Sequence, residues 1–364
     1  MTGLLSTNWT VPESTSDLSA AARATPAAYY IVEGILALCG FLGNSLVILL
    51  FALEPKLRLT VSNIHLVSLA LSDLLMGTVA IPILLVALQG HPRQFPFCLM
   101  LLSVVVLIDT ASVFALCAMT LDRYYSITRP LQYSVRVTKT RATLAALLAW
   151  LVACLLVLPM PLGWHHQPSQ PQCSFVEVVS MQYMTYVFFS CILVPFLLMC
   201  GVYIRLYGII QKQLKQIQAL HETGQRLHEQ DPSIRGETLQ TAVSRITRRV
   251  NPQDVASISN LDNFHRIKRE VKTATFFAFL MLFFFVSWMP ISIVDALLYF
   301  GVSVSQAVMN TCVVLSHTNS AFNPLLYALK ADFRAAFRQR VFLACRSRHG
   351  VNAVGPTRET VHNL

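Results

Sequence analysis

The sequence predicts an all-α membrane protein: a seven-transmembrane helix bundle followed by a short C-terminal amphipathic helix. Three observations carry this reading. Hydrophobic residues make up 54% and charged residues 13% of the 364, against roughly 25% charge in a soluble domain. Seven apolar runs reach the ~20 residues that cross a bilayer as helix. Of the 28 Lys and Arg residues, only Arg23 and Arg93 fall on the N-terminal side of the resulting zigzag.

The runs are Tyr29 to Phe51, Val61 to Leu88, Phe97 to Tyr124, Ala142 to Pro161, Tyr183 to Tyr207, Thr273 to Phe300 and Gln306 to Leu329. Each must be helical, because in lipid every backbone group has to find its partner within its own segment. Residues 29–329 thus form the membrane domain, residues 1–28 an N-terminal segment, and residues 330–364 the short helix and a tail. Short cytoplasmic loops are enriched in Lys and Arg, so the N-terminus is expected outside a plasma membrane. The net charge of +10 then faces anionic lipid, and nucleic-acid binding is not expected. No charged segment with a small-residue cleavage site precedes the first run, so no removable signal peptide is expected. Asn8, in Asn8-Trp9-Thr10, matches a glycosylation acceptor on the outer side.

Cys98, at the outer start of the third run, and Cys173, in the outer loop before the fifth, both lie in an oxidising compartment. A disulfide between them is expected. Cys345 stands among basic residues beyond the seventh run, where palmitoylation would anchor a helix starting near Lys330; an unmodified thiol is the alternative. Residues 211–272 form a long third cytoplasmic loop. Its opening, "QKQLKQIQALHETGQRLHEQ", has helical spacing and can continue the fifth helix inward. Its middle, "DPSIRGETLQTAVSRITRRVNPQDVASISN", carries Pro, Gly and Ser punctuation and is expected to be mobile.

Polar residues inside the runs are the informative ones, since an ionisable group at the bilayer centre costs about 2.5–3.5 kcal/mol unless it is paired or faces a cavity. Asn44, Asp73, Ser112, Trp288, Asn319 and Asn323 all sit mid-run. Their settings are "GNSLVIL" on the first helix, "LALSDLL" on the second, "LDRYY" ending the third, Trp150 on the fourth, Pro195 and Tyr203 on the fifth, "SWMP" on the sixth and "NPLLY" on the seventh. In this order, from Gly43 to Tyr327, they resemble the rhodopsin-like (class A) G protein-coupled receptors. The resemblance implies an extracellular small-molecule ligand, a heterotrimeric G protein partner, and arrestin and receptor kinases as further partners. It implies that Asp73, Ser112, Asn319 and Asn323 line a wet cavity holding a sodium ion, for which oxygen ligands suit a hard cation; no other cofactor is expected. It also implies that Asp122, Arg123 and Tyr124 form a switch. There Arg123 is locked at rest to Glu270, Tyr327 swings inward on activation, Tyr203 belongs to the same switch, and the sixth helix moves outward about Pro290 when the lock opens.

Within that family, Glu33 placed eleven residues before Asn44, together with "LSHTNS" from Leu315 to Ser320, is similar to the adenosine receptors. By that resemblance Glu33 meets His317 beneath the ribose and Phe175 stacks on a purine. Met309 and Val313 line an apolar wall, Ser316 and His317 reach the ribose hydroxyls, and Trp288 and Ser292 complete the sixth-helix side. Departures are equally plain. Asp295 stands where the subfamily has an adenine-gripping Asn, and Asp109 where it has a Thr. The fifth helix also lacks the subfamily's Asn.

Rival classes fare less well. An opsin needs a Schiff-base lysine, and the run from Gln306 to Leu329 has none. An enzyme needs a paired nucleophile and base, and His165 and His166 have no such partner in the sequence. Zinc at those two histidines is an open alternative. A biogenic-amine receptor is the serious one, although its third-helix counter-ion would stand at Val105. Asp109, four residues on, shares that helix face one turn deeper. A carboxylate accepts hydrogen bonds without donating them, so Asp109 and Asp295 should disfavour adenosine and favour a cation or a donor-rich ring.

Overall fold

The computed structural model describes residues 26–230, 255–330 and 332–340. Seven long helices dominate: α1 (Ala27–Leu53), α2 (Ser62–Ala87), α3 (Phe95–Thr128), α4 (Lys139–Val157), α5 (Met181–Gln230 in consecutive segments), α6 (Val255–Tyr299) and α7 (Gln306–Tyr327). Residues 332–340 add a short helix, and the only β pairing among the described residues is two isolated bridges. The first six helices are long and apolar enough to cross a membrane. At 22 residues α7 has the length, but its His, Asn, Ser and Thr content makes it less apolar than the others, so its place in the bundle rests on packing.

The helix ends follow local chemistry. Pro55 and Pro130 open short helices directly after α1 and α3. Thr138, Ser180 and Ser305 cap α4, α5 and α7 by accepting from backbone N–H groups three residues on, at 3.2–3.4 Å. A π turn at Met76–Ala80 precedes Pro82, and another at Phe188–Leu193 precedes Pro195. Proline offers no N–H to the preceding turn, and widening that turn redistributes the carbonyls it leaves over.

The α5 helix runs on to Gln230, as the helical spacing of its inner part predicts. One expectation needs correction: α6 already begins at Val255, so the part of the expected mobile stretch from 255 to 260 is helical. The rest of that stretch, residues 231–254, lies outside the described residues, as do Asn8 and Cys345. The C-terminal helix is described over residues 332–340, and the Arg334 N–H donates to the Lys330 carbonyl at 3.1 Å, in line with a start near Lys330.

Helix α3 is the hub, touching α2, α4, α5 and α6, while α7 packs between α1 and α6. One apolar cluster, including Val47, Leu66, Leu116, Phe277, Leu280 and Tyr327, fills the end that carries Arg123. A second surrounds the Cys98–Cys173 disulfide, with Tyr183 and Met160 fully buried in it. Outward-facing leucines such as Leu147, Leu151 and Leu198 are more than half exposed, as expected where hydrocarbon is the solvent. Close helix approaches need glycine. A Cβ on Gly43 would lie 2.6 Å from Pro324 Cγ, and one on Gly77 would lie 2.6 Å from the Ala37 carbonyl oxygen. Because the second obstacle is backbone, Gly77→Ala must push α1 off α2. A loss of about 1–3 kcal/mol, measured as a lower Tm in detergent, is expected, and an unchanged Tm would contradict this packing.

Candidate functional site

Three polar layers run through the bundle. The first lies towards the disulfide end. Glu33 on α1 is fully buried, and the Nδ1–H of His317 on α7 donates to its Oε2 at 2.8 Å. Tyr29, one turn earlier on α1, lies beside Glu33. Asp109 on α3 is half-buried, and its Oδ1 is enclosed without a hydrogen-bond partner. Asp295 on α6 is half-buried, as are Met309 and Val313 on α7. Phe175 opens a one-turn helix just after Cys173 and packs half-buried against the disulfide cluster. The disulfide, with Cα atoms 5.6 Å apart, fixes that loop to the start of α3.

Three further expected pocket residues have neighbours within the protein. Val105 is 3% exposed and packs with Leu36, Met76 and Ala321. Ser292 donates to the Trp288 carbonyl at 3.0 Å and Ser316 to the Val313 carbonyl at 2.8 Å, which uses the proton of each hydroxyl and leaves its oxygen able to accept. Trp288 is half-buried and stacks with Phe284, their centroids 5.7 Å apart. His165 and His166 do not join this layer. The ring of His165 packs on Phe95, with Nδ1 2.8 Å from the Met160 carbonyl. Among the described residues no group of three or more His, Cys, Asp or Glu gathers as a metal site of that kind would.

The second layer is at mid-bundle. Asn323 on α7 donates to Asp73 Oδ2 on α2 at 2.7 Å, and Asn44 on α1 donates to the carbonyls of Gly40 and Ser320 at 2.9 and 3.1 Å. Asp73 Oδ1, Ser112 Oγ, Asn319 Oδ1 and Asn323 Oδ1 are buried without a protein partner. Such groups are rarely left unsatisfied in a native fold. Their chemistry, four uncommitted oxygens including a carboxylate, fits a hard cation.

The third layer is at the opposite end. Arg123 donates to Asp122 Oδ2 at 2.6 Å and also to Ser62 Oγ, and its guanidinium lies over the Phe277 ring. Asp122 receives two further bonds, from Ser62 Oγ and from the Tyr133 hydroxyl, each 2.8 Å. Burial, then the neighbouring Asp122, pushes the Tyr133 phenol up to about 12, so it stays protonated and donating. Tyr203 and Tyr327 pack around this end in the apolar cluster, and Tyr124 is half-buried beside them. Glu270 lies on α6, with its side chain outside what is described. Sequence reasoning missed Ser62 and Tyr133. The signal was weak: a Ser opening α2, and a Tyr one turn into the helix after Pro130.

The arrangement of an acid, a guanidinium and a proline-containing α7 within seven helices agrees with a direct comparison. The profile described as the seven-transmembrane receptor (rhodopsin family) matches residues 43–327. This chain belongs to that family. The receptor is 32% identical over 330 residues to adenosine receptor A2a of Homo sapiens, covering 85% of this chain and 71% of that protein. It is 31% identical over 311 residues to adenosine receptor A3 of Bos taurus, covering 83% and 85%. To adenosine receptor A2b of Gallus gallus it is 29% identical over 337 residues, covering 85% and 87%. It is therefore a multi-pass membrane receptor of the G protein-coupled class and not an enzyme.

Proposed function

We propose that this receptor stands in the plasma membrane with its N-terminus outside and binds an extracellular small molecule between Glu33, Asp109, Phe175, Asp295 and His317. The proposed ligand is cationic or rich in adjacent hydrogen-bond donors. The observation that carries this is the pair of half-buried carboxylates on α3 and α6, one with an enclosed and unpartnered oxygen. With His317 already bonded to Glu33, Asp109 keeps its accepting capacity for a ligand. A biogenic-amine-like ligand is the second reading, favoured by Asp109 lying one turn below the Val105 position.

Ligand binding is read through Trp288 and Phe284 to the lower layers, and Arg123 is the group that meets the G protein once Asp122 and Glu270 release it. Arrestin and receptor kinases are proposed as further partners. Asp73, Ser112, Asn319 and Asn323 are proposed to hold a sodium ion that favours the resting arrangement. Replacing sodium by N-methylglucamine should then raise agonist affinity several-fold in the wild type and leave Asp73→Asn unchanged; a variant that keeps full sodium sensitivity would remove the ion from this account. The reading as a whole is tested by a panel of nucleosides, nucleobases and amines on cells expressing the receptor, read through each G protein family. A cation or donor-rich ring that activates supports it. Activation confined to uncharged lipids would overturn it.

A further inference from the structure

The first turns of α2 carry Ser62, His65 and Ser68, each three residues from the next and therefore neighbours on the helix surface. The two serines are bonded across the bundle. Ser62 Oγ donates to Asp122 Oδ2 at 2.8 Å and accepts from Arg123, both on α3, while Ser68 Oγ accepts from Trp150 Nε1 on α4 at 3.1 Å. His65 lies between them at 3% exposure, and its Nδ1 is enclosed without a hydrogen-bond partner. Asp122 and Arg123 are both close enough to interact with it electrostatically. A buried titratable ring with an unused nitrogen thus stands beside the acid of the switch.

Charge decides what that nitrogen can do. The buried Asp122 carboxylate is balanced by Arg123 at 2.6 Å, and its other bonds, from the hydroxyls of Ser62 and Tyr133, come from neutral donors. When Arg123 leaves, only those two hydroxyls remain on a buried anion, and a buried charge that has lost its partner is strongly unfavourable. Imidazole is the side chain whose ordinary titration lies nearest neutral pH. A proton on His65 restores neutrality once Arg123 has gone; while Arg123 is present, the same proton is surplus. Among the described residues, the charged groups acting on His65 are these two on α3. Tyr133 reaches it only through Asp122, Trp150 of α4 carries no charge, and Lys330 beyond α7 is bonded to Asn63.

We propose that His65 is a positioning residue of the G protein switch: it takes one proton from cytosolic water as Arg123 leaves Asp122, and donates an N–H to the carboxylate left behind. Asp122 is then held in place while Arg123 is engaged elsewhere. The inference rests on the proposed orientation and on the proposed release of Arg123 from Asp122. Its consequence has a definite sign. The active arrangement binds one proton more than the resting one, so acid on the cytoplasmic side favours activation, by at most about tenfold per pH unit for a single proton.

The test follows the full-length receptor in cells without added ligand. Outward movement of α6 is read by resonance energy transfer between pH-insensitive dyes on its cytoplasmic end and on the tail, so that no G protein enters the readout. Outside pH is held constant while the inside is set between about pH 8 and about pH 6. The active fraction of wild type should rise several-fold per unit of acidification. His65→Phe keeps an aromatic ring that cannot titrate, and His65→Gln keeps a neutral donor; the pH slope should vanish in both, whereas a purely structural role would leave it. Asp122→Asn removes the acid that needs neutralising, and should raise the active fraction and abolish the slope. A slope that persists in either His65 variant, or a flat wild type beside a raised Asp122→Asn, would overturn the role of His65 and leave the switch standing. Asp122→Asn without any rise would instead remove the release of Arg123, and this inference with it. Delivery to the cell surface, measured for every variant, confirms that it is folded.

Discussion

An Asp109→Thr, Asp295→Asn double variant is expected to gain a response to adenosine and to lose the response to the native ligand. The reasoning is one of hydrogen-bond sign. A carboxylate in the α6 position offers only acceptors, whereas an Asn amide offers both a donor and an acceptor to the edge of a purine. In the α3 position an Asp with an enclosed, unpartnered oxygen penalises any ligand that brings no donor to it. Leaving such a group unpaired is expensive, and a hydrogen bond to a charged group is worth about 1.5–3 kcal/mol. Each substitution should thus shift relative affinity on the order of tenfold to a hundredfold. The change is checked by concentration–response curves for adenosine and for the native ligand in the four receptors of the cycle. The two sites lie on different helices, so additivity of the single variants distinguishes two independent contacts from one shared ligand group.

Glu33→Ala is expected to have the largest effect on stability. Glu33 and His317 are 0% and 6% exposed and are joined by a 2.8 Å bond. Removing one partner of a buried hydrogen bond leaves the other unsatisfied at a cost of about 1–3 kcal/mol, and more for a charged group. In this bundle the stranded His317 has an outlet, because Asp109 is close enough to interact with it electrostatically. A His317 turned towards Asp109 would occupy the oxygen proposed to receive the ligand. Glu33→Ala should therefore lower Tm in detergent and weaken the native ligand together, while Glu33→Gln, which can still accept from His317, should be milder in both. If Glu33→Ala lowers Tm but leaves affinity intact, His317 does not compete for Asp109, and the ligand does not depend on that carboxylate being free.

Much of this architecture was legible because it follows from strong local signals. Runs of apolar residues set the helices, and two cysteines on one side of the membrane set the disulfide. The meeting of Glu33 with His317, and of Asp73 with Asn323, followed from a family resemblance carried by residues hundreds of positions apart. Other features were hidden for physical reasons. The π turns before Pro82 and Pro195 depend on how neighbouring helices accommodate the redirected backbone, which the local sequence does not encode. Ser62 and Tyr133 reach Asp122 only through the packing of α2 and the helix after α3, and a Ser or Tyr at such a position reads as ordinary. The α6 start at Val255 was obscured because the Ser residues from 257 to 259 look like loop punctuation, although they form part of a 45-residue helix. Val105, Ser292 and Ser316 show what resemblance leaves out: in the structure the first packs in an apolar cluster and the hydroxyls of the other two donate to carbonyls of their own helices.

The most direct measurement of the central claim is G protein activation by wild-type receptor in response to adenosine, alongside a matched series of small cations and guanine-like donors. Activation by a cationic or donor-rich compound at concentrations where adenosine is silent is the predicted result. Full activation by low concentrations of adenosine, unchanged in the Asp109→Thr, Asp295→Asn variant, would contradict it and leave a receptor whose two pocket acids play no part in choosing the ligand.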